Sequence, residues 1–209
     1  GHPLDFQAWV EATGDRRWSW DELLPVFQAI EDHPLGGDGI HGKNGPLPIH
    51  LPSEEVSPVA RAFIEAGASL GLPRLAGHNS GEMIGVTPNS LNIREGRRVT
   101  VADAWLTPEV RGRANLEIRT GSRALRLALD GNRVRGLEVL SPRGPVEITA
   151  DRVVLCAGSL ETPALLMRSG IGPQEVLDAA GVSCRIDMPG IGRNLQDHLL
   201  GAGNVYKAR

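Results

Sequence analysis

At 209 residues, 41% of them apolar, the chain has the length and the material for one large domain or two smaller ones, which excludes a disordered segment. Its formal charge of −3, from 22 basic and 25 acidic side chains, gives no bulk attraction to nucleic acid or to an anionic membrane. No stretch approaches the roughly 20 apolar residues of a membrane helix, and the opening residues carry no basic and apolar leader.

In chain order, the aromatic residues Phe6, Trp9, Trp18 and Trp20 read as packing anchors leading into a helix over about residues 21 to 31. Ser19 and Glu22 stand at capping-box spacing, and Leu23, Leu24, Phe27 and Ile30 make an apolar stripe. Gly36-Gly37-Asp38-Gly39 breaks that period, and His41 to Pro46 is loop or tight turn before a strand-like run from Leu47 to Leu51. Ser57-Pro58 starts a second helix, with Val59, Ala62, Phe63, Ala66 and Leu70 on one face and Gly71 at its end. Ala76 to Pro88 is rich in glycine and polar residues, and Asn92 to Arg98 reads as an exposed charged connection. Val99 to Leu106 reads as a short strand turning into a short helix near Asp103, stopped by Pro108.

The period then changes. Leu116-Glu117-Ile118-Arg119 and Ala124 to Leu129 alternate in polarity, Asp130-Gly131-Asn132 supplies a turn, and Val134 to Leu140 and Val146 to Thr149 complete a β-meander that adjoins or is inserted into something larger. Eight arginines fall between residues 111 and 143, and on alternating strands they read as a solvated face. Asp151 to Gly158 is continuously apolar at its centre, the pattern of a buried parallel strand ending at a ligand site. Ser159 is placed to cap the helix that follows. That helix closes at Ser169 to Pro173, a second helix runs to about Ala180, and Val182 to Ile186 reads as a short strand before the Pro189 to Gly192 turn. The whole is an α/β or α+β chain.

Two constellations carry chemistry. At Cys156 to Ser159, a strand end, a glycine and a helix start can present backbone N–H groups to a phosphate or another polar ligand, or can be a tight connection made for packing. Ser159 lacks a nucleophile elbow and a triad, which excludes serine hydrolase chemistry. At Pro189 to His198, glycines sit among the donors and acceptors Asn194, Gln196, Asp197 and His198, with His198 read as a hydrogen-bonding residue ahead of a catalytic one. His33, His41, His50 and His78 read as loop or solvent-facing residues, with His41 able to support a ligand-adjacent loop. No His, Cys, Asp and Glu spacing makes a metal site. Cys156 reads as a small buried residue, a disulfide to Cys184 as a weak alternative, and the pair favours a reducing, cytoplasmic compartment with export left open.

Cys156-Ala157-Gly158-Ser159-Leu160-Glu161-Thr162-Pro163-Ala164-Leu165-Leu166-Met167-Arg168-Ser169-Gly170-Ile171-Gly172 resembles the second signature of the glucose-methanol-choline (GMC) oxidoreductase family. Pro189 to His198 resembles the flavin-proximal segment that follows it. Asp5 to Trp9 with Trp18, His41 to Leu47, and Arg97 to Leu106 match in the same order. The resemblance implies a partial FAD-binding Rossmann-like domain with a β-meander and portions of a substrate domain. It divides the chain into 1–51, a helical and loop region near both domains; 52–98, part of the substrate domain or cap; 99–198, part of the FAD domain; and 199–209, the start of a further region. It implies FAD as cofactor and places Gly158 and Ser159 at the flavin border, with Thr162 and Pro163 fixing the signature helix. Asn194, Gln196, Asp197 and His198 fall beside or beneath the cofactor, and Ile118 falls on a strand near the adenine end.

The resemblance also sets what is expected to be lacking. The glycine-rich dinucleotide fingerprint and the late histidine pair of the family have no counterpart here, so the chain reads as an internal portion completed by further polypeptide segments or companion chains. The complete assembly is expected to oxidise a small alcohol to a carbonyl, and the isolated chain to be inactive. Two other readings stay open: a noncatalytic binding or assembly module, and a flavin-dependent lyase or photodecarboxylase on the same scaffold.

Overall fold

In the computed structural model, the structure describes residues 2–52, 55–77 and 79–197, which fall into two compact units divided between Glu117 and Ile118. The first opens with helix α1, Pro3–Thr13, which apolar spacing does not announce. Local chemistry makes it: the Asp5 carboxylate accepts the His2 N–H at 2.9 Å, the His2 ring accepts from the Leu4 N–H at 3.2 Å, Pro3 needs no donor partner, and Gly14 at φ +68 ends the helix. A single 3₁₀ turn, Arg16–Trp18, leads to α2, Trp20–Ile30. Phe6, Trp20 and Phe27 pack ring against ring at 5.3 to 6.2 Å, and Trp9 meets Trp18 at 5.9 Å, so the aromatics are packing anchors. The expected Ser19–Glu22 capping box does not form. The Ser19 N–H already donates to the Arg16 carbonyl at 2.9 Å, which leaves Glu22 no backbone donor to reach, and the Ser19 hydroxyl is buried without a partner.

Strand β1, Glu31–Asp32, pairs in parallel with β2, Leu47–Pro48, and the loop between them folds back beneath α2. A Cβ on Gly42 would stand 1.8 Å from the Gln28 carbonyl oxygen, and one on Gly45 would stand 2.5 Å from the Glu31 nitrogen. His33 and His41 lie in this loop but are 5% and 4% exposed, which corrects their reading as solvent-facing. Their rings stack at 3.8 Å, with Asp38 held 2.7 Å from His41 Nδ1. His50 is half-buried beside Glu55 at 3.6 Å, and His78 lies outside the described residues.

Helix α3, Pro58–Ser69, has the expected start: Ser57 accepts the Ala60 N–H at 3.2 Å. Asn92 to Arg98 is a hairpin of β3, Ile93–Arg94, and β4, Arg97–Arg98, where an exposed connection was expected. Glu95 and Gly96, at φ 52 and 72, form its turn, a conformation the charge pattern does not reveal. Helix α4, Val101–Trp105, is capped reciprocally by Thr100 and Asp103, and the strand expected from Val99 does not form, the strand residues ending at Arg98 in β4. Pro108 does more than stop it, because Pro108 occupies the first turn of α5, Pro108–Arg111, where its missing N–H is harmless.

The second unit holds the buried large apolar side chains of the described residues: Leu127, Val139, Leu165, Ile171 and Leu177. Strands β5, Arg123–Asp130, β6, Arg133–Ser141, and β7, Gly144–Thr149, form the expected antiparallel meander. Arg126 pairs with Glu138, and Arg135 with Asp130 at 2.9 Å, so these basic side chains are salt-bridged at the sheet surface. Helix α6, Gly158–Arg168, lies along β5: the Ser169 hydroxyl accepts the Leu127 N–H at 2.8 Å and donates to the Leu165 carbonyl at 2.6 Å. Beyond it, β8, Ile171–Gly172, pairs in parallel with β9, Ile186–Asp187, around helix α7, Gln174–Ala179.

Two expected strands are absent. Leu116 to Arg119 makes no ladder, and Asp151 to Ala157 makes none either, leaving Val154 84% exposed and Cys156 exposed where burial was expected. An apolar run of this kind reports the need for neighbours on both faces, and among the described residues no strand stands beside it. Both cysteines are free thiols, so the alternative disulfide is not formed. Burial pushes the Cys184 thiol above its ordinary value, with Asp187 and Asp178 adding to the shift.

Candidate functional site

The site is built on α6. Its first residue, Gly158, has φ +86, a left-handed conformation that L side chains rarely adopt, and a Cβ placed there meets nothing within 4 Å. The space in front of the turn is therefore open. Ala157 is the N-cap residue and Ser159 lies in the first helical turn, which corrects the reading of Ser159 as the cap. Thr162 supplies the side-chain bond instead, its hydroxyl oxygen accepting the Ala157 N–H at 3.1 Å. The shift has a simple cause: a capping side chain must precede the helix to accept from the N–H groups two or three residues on, and Ser159 is already the second residue of α6. Glu161 sits at the positive end of the helix and pairs with Arg168 at 3.3 Å.

Beside this turn lies an open cleft of about 390 Å³ lined by Arg123, Ala124, Ala157, Glu161, Leu165 and Arg168. Its wall at the meander comes from the first residues of β5. Ile118, outside any strand and 41% exposed, is not among the lining residues. The family resemblance places Ile118 near the adenine end, while polarity alternation supplies only the strand, which does not form here.

The second constellation is attached to the other end of α6. A Cβ on Gly192 would come within 2.6 Å of Met167 Cε, so the Pro189 to Gly192 turn packs against the last turn of the helix. Gly158 and Met167 are nine residues apart, about 14 Å along the helix axis. Asn194 follows at φ 56, a conformation asparagine tolerates better than most residues, and Asn194, Gln196 and Asp197 are all exposed. His198 lies outside the described residues. The family resemblance already has Thr162 and Pro163 fixing the signature helix, and the structure gives Thr162 its partner in the Ala157 N–H. Sequence reasoning missed Met167 as the seat of Gly192, a side-chain contact with no local sequence signal.

The family model for GMC oxidoreductases matches residues 1–200. The chain belongs to the GMC oxidoreductase family. Over all 209 residues it is 61% identical to a pyridoxine 4-oxidase from Microbacterium luteolum, and over 200 residues it is 38% identical to a 5-(hydroxymethyl)furfural oxidase from a Methylovorus species, covering 95% of this chain and 38% of that one. The crystal structure of pyridoxine 4-oxidase from Mesorbium loti superposes over the whole chain with a TM-score of 0.95 at 80% identity. The chain spans 41% of the length of each of these two pyridoxine 4-oxidases. Its mixture of helices, short ladders and meander is thus part of the FAD-binding fold of GMC flavoproteins. Among the described residues no group of three His, Cys, Asp or Glu side chains is placed to hold a metal, and no helix is long and apolar enough to cross a membrane.

The α6 turn is compatible with this family's cofactor. It combines a glycine with open space in front of it, an exposed serine residue and the first N–H groups of an 11-residue helix, which together favour a polar or anionic group.

Proposed function

We propose that this chain is a portion of an FAD-dependent alcohol oxidase that converts a primary alcohol of the pyridoxine type to its carbonyl. The observation that carries the reading is the 80% identity to the pyridoxine 4-oxidase of known structure, extending across both constellations. In this reading Gly158 and Ser159 border the cofactor through backbone and hydroxyl, while Asn194, Gln196, Asp197 and His198 line it from the segment seated on Met167, with Ile118 near its adenine end. Bound FAD supplies the hydride acceptor. The residues of this chain bind and orient: α6 presents N–H groups to negative charge, Glu161 is held by Arg168, and Asn194 fixes the backbone turn that presents Gln196 and Asp197. Further polypeptide, as a continuation of the chain or as companion segments, encloses the cofactor and supplies the group that takes the alcohol proton.

A graft tests this directly. This chain replaces the matching segment of the Mesorbium loti pyridoxine 4-oxidase, and the purified chimera is mixed with pyridoxine without oxygen. The expected result is stoichiometric FAD whose oxidised absorption bands bleach on mixing; bound FAD that no alcohol bleaches would overturn the oxidase reading. The isolated 209-residue chain is expected to hold no stoichiometric flavin.

A further inference from the structure

We infer that Thr162 is a positioning residue for the cofactor turn, acting through Ala157 without touching the ligand. The inference deepens the flavin reading above and rests on it.

A helix that begins with a glycine in the left-handed region has no stiffness of its own at that point, because glycine adopts several backbone conformations at similar energy. Ala157, the residue before it, is the N-cap and carries no side chain able to cap, and Ser159 lies inside the first helical turn. The orientation of the turn is therefore set from further along the chain. Thr162 Oγ1, half-buried against the helix, accepts the Ala157 N–H at 3.1 Å across five residues. Pro163 follows and has no N–H, so the first turn of α6 has one fewer backbone bond holding it, and the side-chain bond carries correspondingly more of the restraint. The consequence lies at the ligand side. The N–H groups of Gly158, Ser159 and Leu160, the first of the helix, have no partner within it, Ser159 is exposed, and the space beside Gly158 is open.

A serine at 162 keeps the acceptor and a valine removes it at nearly the same volume. The test uses the flavin-loaded chimera with T162S and T162V. The dissociation constant of FAD is expected to rise roughly 5- to 50-fold in T162V and to stay within about threefold in T162S. The visible band shape of the bound flavin should change in T162V and not in T162S, while the melting temperature of the flavin-free protein is the same in all three. Equal affinity and an unchanged spectrum in T162V overturn the inference. So does a T162S variant as weak as T162V. Should T162V fail to fold, T162S and T162A are compared by amide exchange at Ala157 together with FAD affinity; affinity that does not follow the protection of that amide also overturns it. A parent chimera without FAD overturns the function reading and this inference together, whereas an FAD-loaded parent with an indifferent T162V overturns this one alone.

Discussion

Asp38 accepts three N–H bonds in one loop, from the backbone of Ile40 at 2.8 Å and of His41 at 2.7 Å and from the His41 ring at 2.7 Å. The backbone bond from His41 is the largest cause that holds its carboxyl far below the ordinary carboxylate value of 3.8, followed by the ring and by the Ile40 amide. The sign follows from linkage: the folded protein binds the proton less readily than the unfolded one, so this stabilisation is fully present above about pH 4 and is lost as the pH falls further. Asp38→Asn keeps an acceptor but has no charge to lose. It should lower the melting temperature at pH 7, and the gap to the parent should narrow steadily below pH 4 in thermal scans. A gap that is constant from pH 7 to pH 2.5 would remove the carboxylate from the account. Asp38 illustrates what residue types leave unsaid: a glycine-flanked aspartate announces a turn, but the buried imidazole stack that it organises depends on a chain reversal under α2, which no local pattern encodes.

At the scale of elements, legibility follows the range of the forces. Helix α3 is readable because Ser57, Pro58 and Gly71 state its ends within the chain itself, and the meander because Asp130-Gly131-Asn132 fixes a turn between alternating runs. Helix α1 is not readable by period, since its aromatic residues face α2 and the 3₁₀ turn rather than a broad core. The attachment of α6 to β5 is equally hidden, although it determines where the signature helix lies. Strand β5 is an edge of the meander, and its free edge is covered by side chains: Ser169 takes the Leu127 N–H and Arg168 donates to the Leu125 carbonyl at 3.1 Å. Ser169→Ala leaves the buried Leu127 N–H without an acceptor. The expected loss is about 1–3 kcal/mol in urea unfolding, with faster amide exchange at Leu127 and little change at Ala157. An unchanged midpoint would mean that the helix is held to the meander by its apolar contacts alone.

The largest departure between pattern and structure belongs to the whole molecule. Asp151 to Ala157 has the composition of a strand covered on both faces, yet Val154 is 84% exposed and Leu160, at the start of α6, is 68% exposed. The apolar pattern was legible and its partners were not, because a sequence states how much surface a strand must bury and not which strand buries it. An extended apolar segment outside any ladder pairs with whatever edge it meets, so the isolated chain should associate as its concentration rises. Val154→Lys separates this cause from general stickiness. In the isolated chain it should reduce association, measured by sedimentation velocity, because charge on an open strand opposes edge pairing. In the chimera with pyridoxine 4-oxidase the same change should abolish FAD retention, since there the position is expected to lie between neighbouring strands, where an unpaired ammonium costs several kcal/mol. If V154K leaves the isolated chain as associated as before and the chimera fully loaded, the 151–157 segment is not the surface on which the remaining polypeptide docks.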